Sequence, residues 1–260
     1  MRVLFFGDLM GKPGRKLMAG ELPSIRNEWG PFDFVIANCE NSAGGFGITE
    51  KVMDELFANG ADCLTSGNHI WDKKESVPLL DEEKRLLRPA NYPPGCRGQG
   101  VCVLERKGKK MAVVNLQGRV YMQPIDCPFR VADSLLETID AKAVFVDMHA
   151  EATSEKKAMG LYLDGRVSAL VGTHTHVQTA DEQILTGGTA FITDAGMTGG
   201  HGGVIGMASE GVLPRFLQGT PTKFEICSSG LRVNAVVVDI DDETGRAVDI
   251  KRINYDPKKS

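Results

Sequence analysis

Short apolar runs alternate with longer amphipathic stretches along much of the chain. The first run, Val3–Phe6, precedes a stretch from Arg15 towards Trp29 that has helical spacing. The same alternation returns at Phe34–Ala37, which is followed by the helical pattern of Glu50–Asn59. Apolar runs separated by helical patterns are typical of strand–helix–strand units. The pattern therefore predicts an α/β fold with parallel strands.

Further strands and helices are predicted in the rest of the chain. Two runs around a charged tip, Val101–Glu105 and Met111–Leu116, are typical of an antiparallel hairpin. The remaining predicted strands are Cys63–Ser66, Val144–Val146, Leu170–Val171, Ala190–Thr193, Lys223–Ile226, Asn234–Ile240 and Ala247–Ile253, and the remaining helices are Val131–Asp140 and Ser154–Leu161. Parallel strands in the first half and hairpins in the second predict two β-sheets packed face to face, flanked by helices. Since no repeat or linker interrupts the pattern, we expect a single domain over residues 1–260.

Polar side chains follow five of these strands at the point where each strand ends. They are Asp8, Glu40 with Asn41, Asn68 with His69, His149, and His174 with His176. Parallel strands bring their carboxyl ends to one edge of a sheet, where ligands bind, so these side chains should lie close together. Carboxylate, amide and imidazole groups together favour a metal site. Taken singly, each has a simpler explanation as a helix cap, a turn residue or a buried histidine.

The spacing and charge of this set suit two metal ions and an anionic ligand. His174 and His176 are two residues apart, and on an extended segment both would face the same side with Cα atoms roughly 6.5 Å apart. That separation fits two ions about 3.5–4 Å apart, although a hydrogen-bonded pair remains an alternative. Two ions of charge +2 beside the two carboxylates of Asp8 and Glu40 would leave a surplus of about +2. Phosphate esters are therefore the expected ligands.

Five segments resemble, in order, the motifs of the calcineurin-like metallophosphoesterases, and most closely their YmdB-like branch. The segments are Gly7-Asp8, Asn38–Asn41, Gly67–Asp72, Asp147–Glu155 and Gly172–Val177, and Thr193–Gly199 also fits. The resemblance implies a four-layer αββα sandwich with a dinuclear metal centre. It implies one ion on Asp8, Glu40, Asn41 and His176 and a second on Glu40, Asn68, His149 and His174. Two positions depart from the wider superfamily, since Met10 replaces a histidine and Glu40 replaces an aspartate.

For this branch the resemblance implies a phosphodiesterase acting on small phosphoesters, particularly 2′,3′-cyclic nucleoside monophosphates. It implies iron or manganese as the metals, with zinc as a further candidate. We hypothesise that a bridging water loses a proton to become the attacking hydroxide and that His69 protonates the departing ribose oxygen. A phosphomonoesterase or nucleotidase, and a metal-binding regulatory protein with little turnover, remain alternatives. An amidohydrolase is disfavoured because its paired histidines belong to the first strand of a barrel.

Composition narrows the partners and the compartment. The formal charge of −4 disfavours a nuclease and stable nucleic-acid binding. The six cysteines are scattered without a CxxC pair, which favours free thiols in a reducing compartment, and we expect the cytoplasm. Since no apolar run approaches the length of a membrane span, we expect no membrane partner. A homo-oligomer is compatible with the sequence.

Overall fold

The computed structural model describes residues 1–257, which form two β-sheets and the helices that cover them. In spatial order the first sheet contains β2 (Asp8–Leu9), β11 (Met197–Gly200), β12 (Leu231–Ile240), β1 (Arg2–Phe6), β3 (Phe34–Asn38) and β4 (Cys63–Thr65), and β13 (Ala247–Tyr255) pairs with β12. The second contains β5 (Val101–Arg106), β6 (Lys109–Gln117), β7 (Ala143–His149), β8 (Ala169–Thr173), β10 (Ala190–Ile192) and β9 (Gln183–Ile184). The helices are α1 (Gly11–Trp29), α2 (Glu50–Ala58), α3 (Ser76–Glu82), α4 (Pro128–Leu136), α5 (Thr153–Tyr162) and α6 (Ser209–Gln218), with a 3₁₀ helix at Asn68–Trp71.

The two sheets pack face to face through side chains that alternate along their strands. In β1, Val3 and Phe5 belong to the core between the sheets, whereas Leu4 and Phe6 belong to the core beneath the helices. The rings of Phe5 and Phe145 meet across the two sheets with centroids 5.4 Å apart. Burying one such side chain stabilises the fold by roughly 1.5–3 kcal/mol. A third core places α4 and α5 on the outer face of the second sheet, which confirms the predicted four-layer αββα sandwich.

The sequence did not predict which strands share a sheet. The first sheet combines β1, β3 and β4 with β11, β12 and β13, whereas the middle of the chain forms the second sheet. In that second sheet, β6, β7, β8 and β10 are all parallel. The pairing of β1 with β12 joins segments more than 200 residues apart, and no local pattern in the sequence indicates such a contact.

The predicted strand at Lys223–Ile226 was wrong. That segment is irregular, with only an isolated bridge between Ile226 and Met207. Ile226 instead packs against a small apolar cluster that includes Met10 and Met197. Two helices, α3 and α6, were not predicted from the sequence. Among the helices of residues 1–257, none has the length and apolar character needed to cross a bilayer.

The architecture brings the predicted strand ends to one edge of the molecule. Strands β1, β3 and β4 run parallel in the first sheet, as do β7 and β8 in the second. Their carboxyl ends therefore meet at the same side of the sandwich, where the chain leaves the strands into loops. The polar residues singled out in the sequence lie there.

Candidate metal centre

One group of predicted ligands surrounds Glu40, which lies just beyond β3. Glu40 Oε1 is 2.9 Å from Nε2 of His149, the last residue of β7. His149 Nε2 is in turn 3.0 Å from Nδ1 of His174. One potential ligand atom from each of these three residues lies within 4.8 Å of the other two. Glu40 Oε2 accepts the backbone N–H of His69 at 3.1 Å, which places the end of β4 beside this group.

A second group lies around Asp8, the first residue of β2. The amide of Asn41 donates through Nδ2 to the Gly45 carbonyl at 2.8 Å, so its Oδ1 atom faces His176. That oxygen is 3.2 Å from His176 Nε2, which is 3.9 Å from Asp8 Oδ1. Asp8 Oδ1 also lies 3.9 Å from Nδ1 of His149. The two groups are therefore adjacent.

In each of three histidine rings, one nitrogen points away from the two groups and is called the outer nitrogen here. It lies near a group that can accept a hydrogen bond from it. His149 Nδ1 is 2.9 Å from the Thr173 hydroxyl oxygen, and His176 Nδ1 is 2.9 Å from the Ile205 carbonyl oxygen. His174 Nε2 lies 3.2 Å from the Glu151 carboxylate. This arrangement assigns a proton to each outer nitrogen and turns the inner nitrogen of each ring towards the two groups.

The donor set of the two groups fits metal ions. Asp8 Oδ1 and Asn68 Oδ1 are buried oxygens that receive no hydrogen bond from residues 1–257. Buried acceptors without donors are costly unless a cation binds them. Carboxylate, amide and imidazole ligands together suit manganese, iron and zinc. The seven predicted ligand residues therefore have the chemistry of a metal site, with Glu40 between its two halves.

The electrostatics of the site depend on charge compensation. Burial raises the pKa of Asp8 above its usual value. Burial opposes the ionisation of both Glu40 and His149, but their mutual attraction outweighs it, lowering the pKa of Glu40 to about 2 and raising that of His149 to about 9. Burial, followed by repulsion from His149, lowers the pKa of His174 to about 3. A bound cation would take over the charge of protonated His149 and displace its inner proton.

The segment carrying the paired histidines is not the extended strand that the sequence predicted. His174 and His176 have φ angles of 98° and 64°, so the chain turns through left-handed conformations directly after β8. Such angles cost roughly 1–2 kcal/mol for a residue with a side chain. The Asp194 carboxylate holds this turn by accepting the backbone N–H and the hydroxyl of Thr175, at 3.2 and 2.7 Å. Asp194 also forms a buried ion pair with Lys156 at 2.6 Å.

His69 lies beside the two ligand groups, in the 3₁₀ helix that begins with Asn68. Its Nδ1 atom is 2.8 Å from Asp72 Oδ2, which leaves Nε2 as the ring nitrogen that can exchange a proton with a ligand. Its ring meets Phe46 edge to face, with centroids 5.0 Å apart. The fifth histidine, His201, which was not among the predicted site residues, lies with its Nε2 atom 2.9 Å from the Met197 carbonyl oxygen.

A cavity of about 430 Å³ opens above the ligand groups. Its polar lining includes Glu40, Asn41, His69, His174 and His176. Its apolar lining is Met10, Phe46, Ile205, Met207 and Phe224, and all of these except Ile205 belong to one apolar cluster. Sequence reasoning missed this apolar wall, whose members come from distant segments. The cavity can therefore hold a ligand that has both an anionic and an apolar part.

Sequence reasoning also missed the groups that hold the histidine rings. The Thr173 and Glu151 side chains lie within the motif segments, directly beside a histidine or two residues from one. Their positions near the motif histidines could have identified them, because ligating histidines usually form a hydrogen bond to a second polar group through the outer nitrogen. The backbone carbonyl of Ile205 gave no signal in the sequence.

Comparison with known proteins places the chain in a family. The profile of the YmdB-like protein family matches residues 4–253. A Bacillus subtilis protein named 2′,3′-cyclic-nucleotide 2′-phosphodiesterase is 48% identical over 255 residues, which cover 97% of this chain and 96% of that protein. A crystal structure of a hypothetical protein from Thermus thermophilus has a TM-score of 0.92 and 45% identity, over 98% of this chain and 99% of that one. A Mycoplasma pneumoniae structure described as a novel phosphatase has a TM-score of 0.93 and 34% identity, over 98% and 93% of the two chains. The chain belongs to the YmdB-like protein family.

Proposed function

We propose that this protein is a dinuclear metal-dependent phosphodiesterase that hydrolyses 2′,3′-cyclic nucleoside monophosphates. The observation that carries the proposal is the pair of adjoining acceptor groups beside a cavity that is lined both by their polar side chains and by an apolar cluster. The name of the Bacillus subtilis relative supports the same substrate class.

Seven residues would hold the two metal ions. One ion would bind Asp8, Glu40, Asn41 and His176, and the other Glu40, Asn68, His149 and His174. Iron or manganese suits this mixture of oxygen and nitrogen ligands. When bound, the ions would supply positive charge to the phosphoryl oxygens and a water activated for attack at neutral pH.

The cavity explains a preference for a nucleotide. Without metal ions, the carboxylates of Asp8 and Glu40 would repel a phosphate group. The phosphate of the substrate would therefore bind next to the ions. The apolar wall offers a surface for a nucleoside base, and Phe46 presents an aromatic ring there. Base–aromatic contacts are worth roughly 1–3 kcal/mol each. A cyclic nucleotide can contact both the polar groups and the apolar side chains of the cavity. A small phosphoester without a base contacts only the polar groups.

His69 is the proposed proton donor. Its bond to Asp72 orients the ring, and its remaining nitrogen can give a proton to the ribose oxygen as the phosphorus–oxygen bond breaks. The leaving alcohol then departs neutral rather than as a poorly stabilised alkoxide. The role depends on the leaving group, which makes it separable from metal binding.

The test is His69→Ala, with His201→Ala as the matched control. His69→Ala should keep both ions yet lose about 10²- to 10⁴-fold in kcat on 2′,3′-cyclic AMP, with a much smaller loss on bis(p-nitrophenyl) phosphate, whose leaving group needs no proton. His201→Ala should behave as wild type with both substrates. An ion missing from His69→Ala, or equal losses on the two substrates, would show that His69 is not the proton donor.

The same assay separates the remaining activities. Faster turnover of 2′- or 3′-nucleoside monophosphates than of cyclic substrates would indicate a nucleotidase. Background turnover of every phosphoester by protein with two bound ions would indicate a regulatory protein. All six cysteines are free, which supports the proposed cytoplasmic location.

A further inference from the structure

A buried carboxylate lies behind the metal centre without belonging to the predicted ligand set. Asp147 is in β7, two residues before His149, and its side chain is fully buried. Its oxygens accept hydrogen bonds from Asn38 Nδ2 at 2.9 Å, from Thr173 Oγ1 at 2.7 Å and from the Thr65 hydroxyl. A buried charge is tolerated only when such donors surround it. Three donors on three other strands therefore hold one carboxylate between the two sheets.

Thr173 connects this carboxylate to His149, a predicted metal ligand, through two hydrogen bonds. A hydroxyl has one proton to donate, and Thr173 donates it to Asp147 Oδ1. The same hydroxyl oxygen lies 2.9 Å from His149 Nδ1, so it must accept a hydrogen bond from the N–H of that nitrogen. Because Nδ1 keeps its proton, Nε2 is the nitrogen that would offer a lone pair once a bound cation displaces its proton. Nε2 faces Glu40 Oε1 at 2.9 Å.

The same carboxylate also connects to Glu40. Asn38 donates to Asp147 through its amide nitrogen and accepts the backbone N–H of Glu40 through its amide oxygen, at 3.1 Å. The orientation of the Asn38 amide is thereby set from both ends. Asp147 is therefore hydrogen-bonded to Asn38 and Thr173, the two residues that in turn contact Glu40 and His149.

We propose that Asp147, acting through Thr173, is a positioning residue that keeps the His149 proton on Nδ1 and presents Nε2 to a metal ion. The proposal rests on the proposed metal site, and it concerns binding rather than turnover. The three groups Asp147, Thr173 and His149 are called the Asp147 relay below. Groups that bond to the outer nitrogen of a ligating histidine typically change metal affinity by about 10- to 100-fold.

The test compares Thr173→Val with Thr173→Ser. Valine keeps the shape of threonine but has no hydroxyl, whereas serine keeps the hydroxyl and loses the methyl group. Manganese affinity is measured by competition with a chelator, and the electron paramagnetic resonance spectrum reports whether the two Mn²⁺ ions are coupled. Thr173→Val should bind one of the two ions about 10- to 100-fold more weakly and show the signal of isolated Mn²⁺. Thr173→Ser should regain wild-type affinity and the coupled signal.

The outcomes distinguish the relay from simpler explanations. Wild-type affinity in Thr173→Val would overturn the proposal. Equal losses in both variants would also overturn it, because the methyl group rather than the hydroxyl would then matter. Wild-type protein that binds two ions but turns over no cyclic nucleotide would refute the proposed function and leave the relay intact.

A second measurement on the wild-type protein keeps the proposal testable if Thr173→Val does not fold. In zinc-loaded protein, a long-range ¹H–¹⁵N correlation spectrum identifies which ring nitrogen of His149 carries a proton. The Asp147 relay requires the proton on Nδ1 and the metal on Nε2. The opposite assignment would overturn the proposal.

Discussion

Replacing Gly67 with alanine tests whether the ligand groups must stand where the structure places them. Gly67 lies between β4 and Asn68, and its φ of −155° is outside the left-handed region, so alanine meets no backbone penalty of that kind. A Cβ atom there would lie 2.1 Å from Cδ2 and 2.2 Å from Nε2 of His149, and 2.3 Å from Glu40 Oε2. The effect of the substitution is therefore steric and is directed at two ligands.

The size of the effect follows from these distances. Carbon atoms in contact are normally about 3.5–4.0 Å apart, so the ligands or the chain must move by roughly 1.3 Å or more. Overpacking of this kind costs about 1–3 kcal/mol of folding stability. Where the overlap is relieved by displacing His149 and Glu40, the same free energy is lost from metal binding, which corresponds to about a 5- to 140-fold loss of affinity. Metal–ligand distances tolerate only about ±0.2 Å, so the upper part of that range is expected.

The assay is elemental analysis of dialysed protein together with thermal unfolding and turnover of 2′,3′-cyclic AMP. Gly67→Ala should lose metal and activity together. Gly20→Ala is the matched control, because Gly20 is exposed on α1 and its added Cβ would meet no atom within 4 Å. It should keep both ions and be more stable by about 0.5–1 kcal/mol, since alanine favours a helix over glycine. Full metal content in Gly67→Ala would refute the reasoning.

Two further substitutions test charged residues. One is Asp8, a predicted metal ligand, and the other is Lys156, which pairs with the carboxylate that holds the turn at His174 and His176. Asp8→Asn removes one of two anionic ligands and should lose metal and activity together; retention of two ions by elemental analysis would exclude Asp8 as a ligand. Lys156→Met leaves the buried carboxylate of Asp194 unpaired and should cost about 3–5 kcal/mol in urea unfolding. Lys157→Met breaks a 3.5 Å contact with Asp181 and a 5.7 Å cation–π contact with Phe191, and it should cost less than about 1 kcal/mol. Equal costs in the two variants would show that the buried pair is not required.

The convergence of Asp8, Glu40 and His149 was predictable because each follows an apolar strand. Asp8, Glu40 and His149 interrupt a local pattern at its end, and parallel strands carry such ends to one edge whatever the rest of the chain does. The four-layer arrangement followed from the alternation of strands and helices together with the family resemblance. Those parts of the account depend on short-range information.

The parts that the sequence did not predict depend on contacts between distant segments. The left-handed turn at His174 and His176 is locally unfavourable and is held by Asp194, which lies 19 residues beyond Thr175 in the chain. Asp147 begins one of the motif segments, but its hydrogen-bond partners lie on three other strands, so the sequence did not indicate what it does. The Lys223–Ile226 segment has the composition of a strand, but it packs against methionines rather than pairing with a neighbour.

The most direct measurement is anomalous diffraction from crystals of the metal-loaded protein, recorded at the absorption edges of manganese, iron and zinc. The account predicts two peaks on either side of the Glu40 carboxylate, one beside Asp8 and His176 and the other beside His149 and His174. A single peak, or peaks away from Glu40, would contradict it.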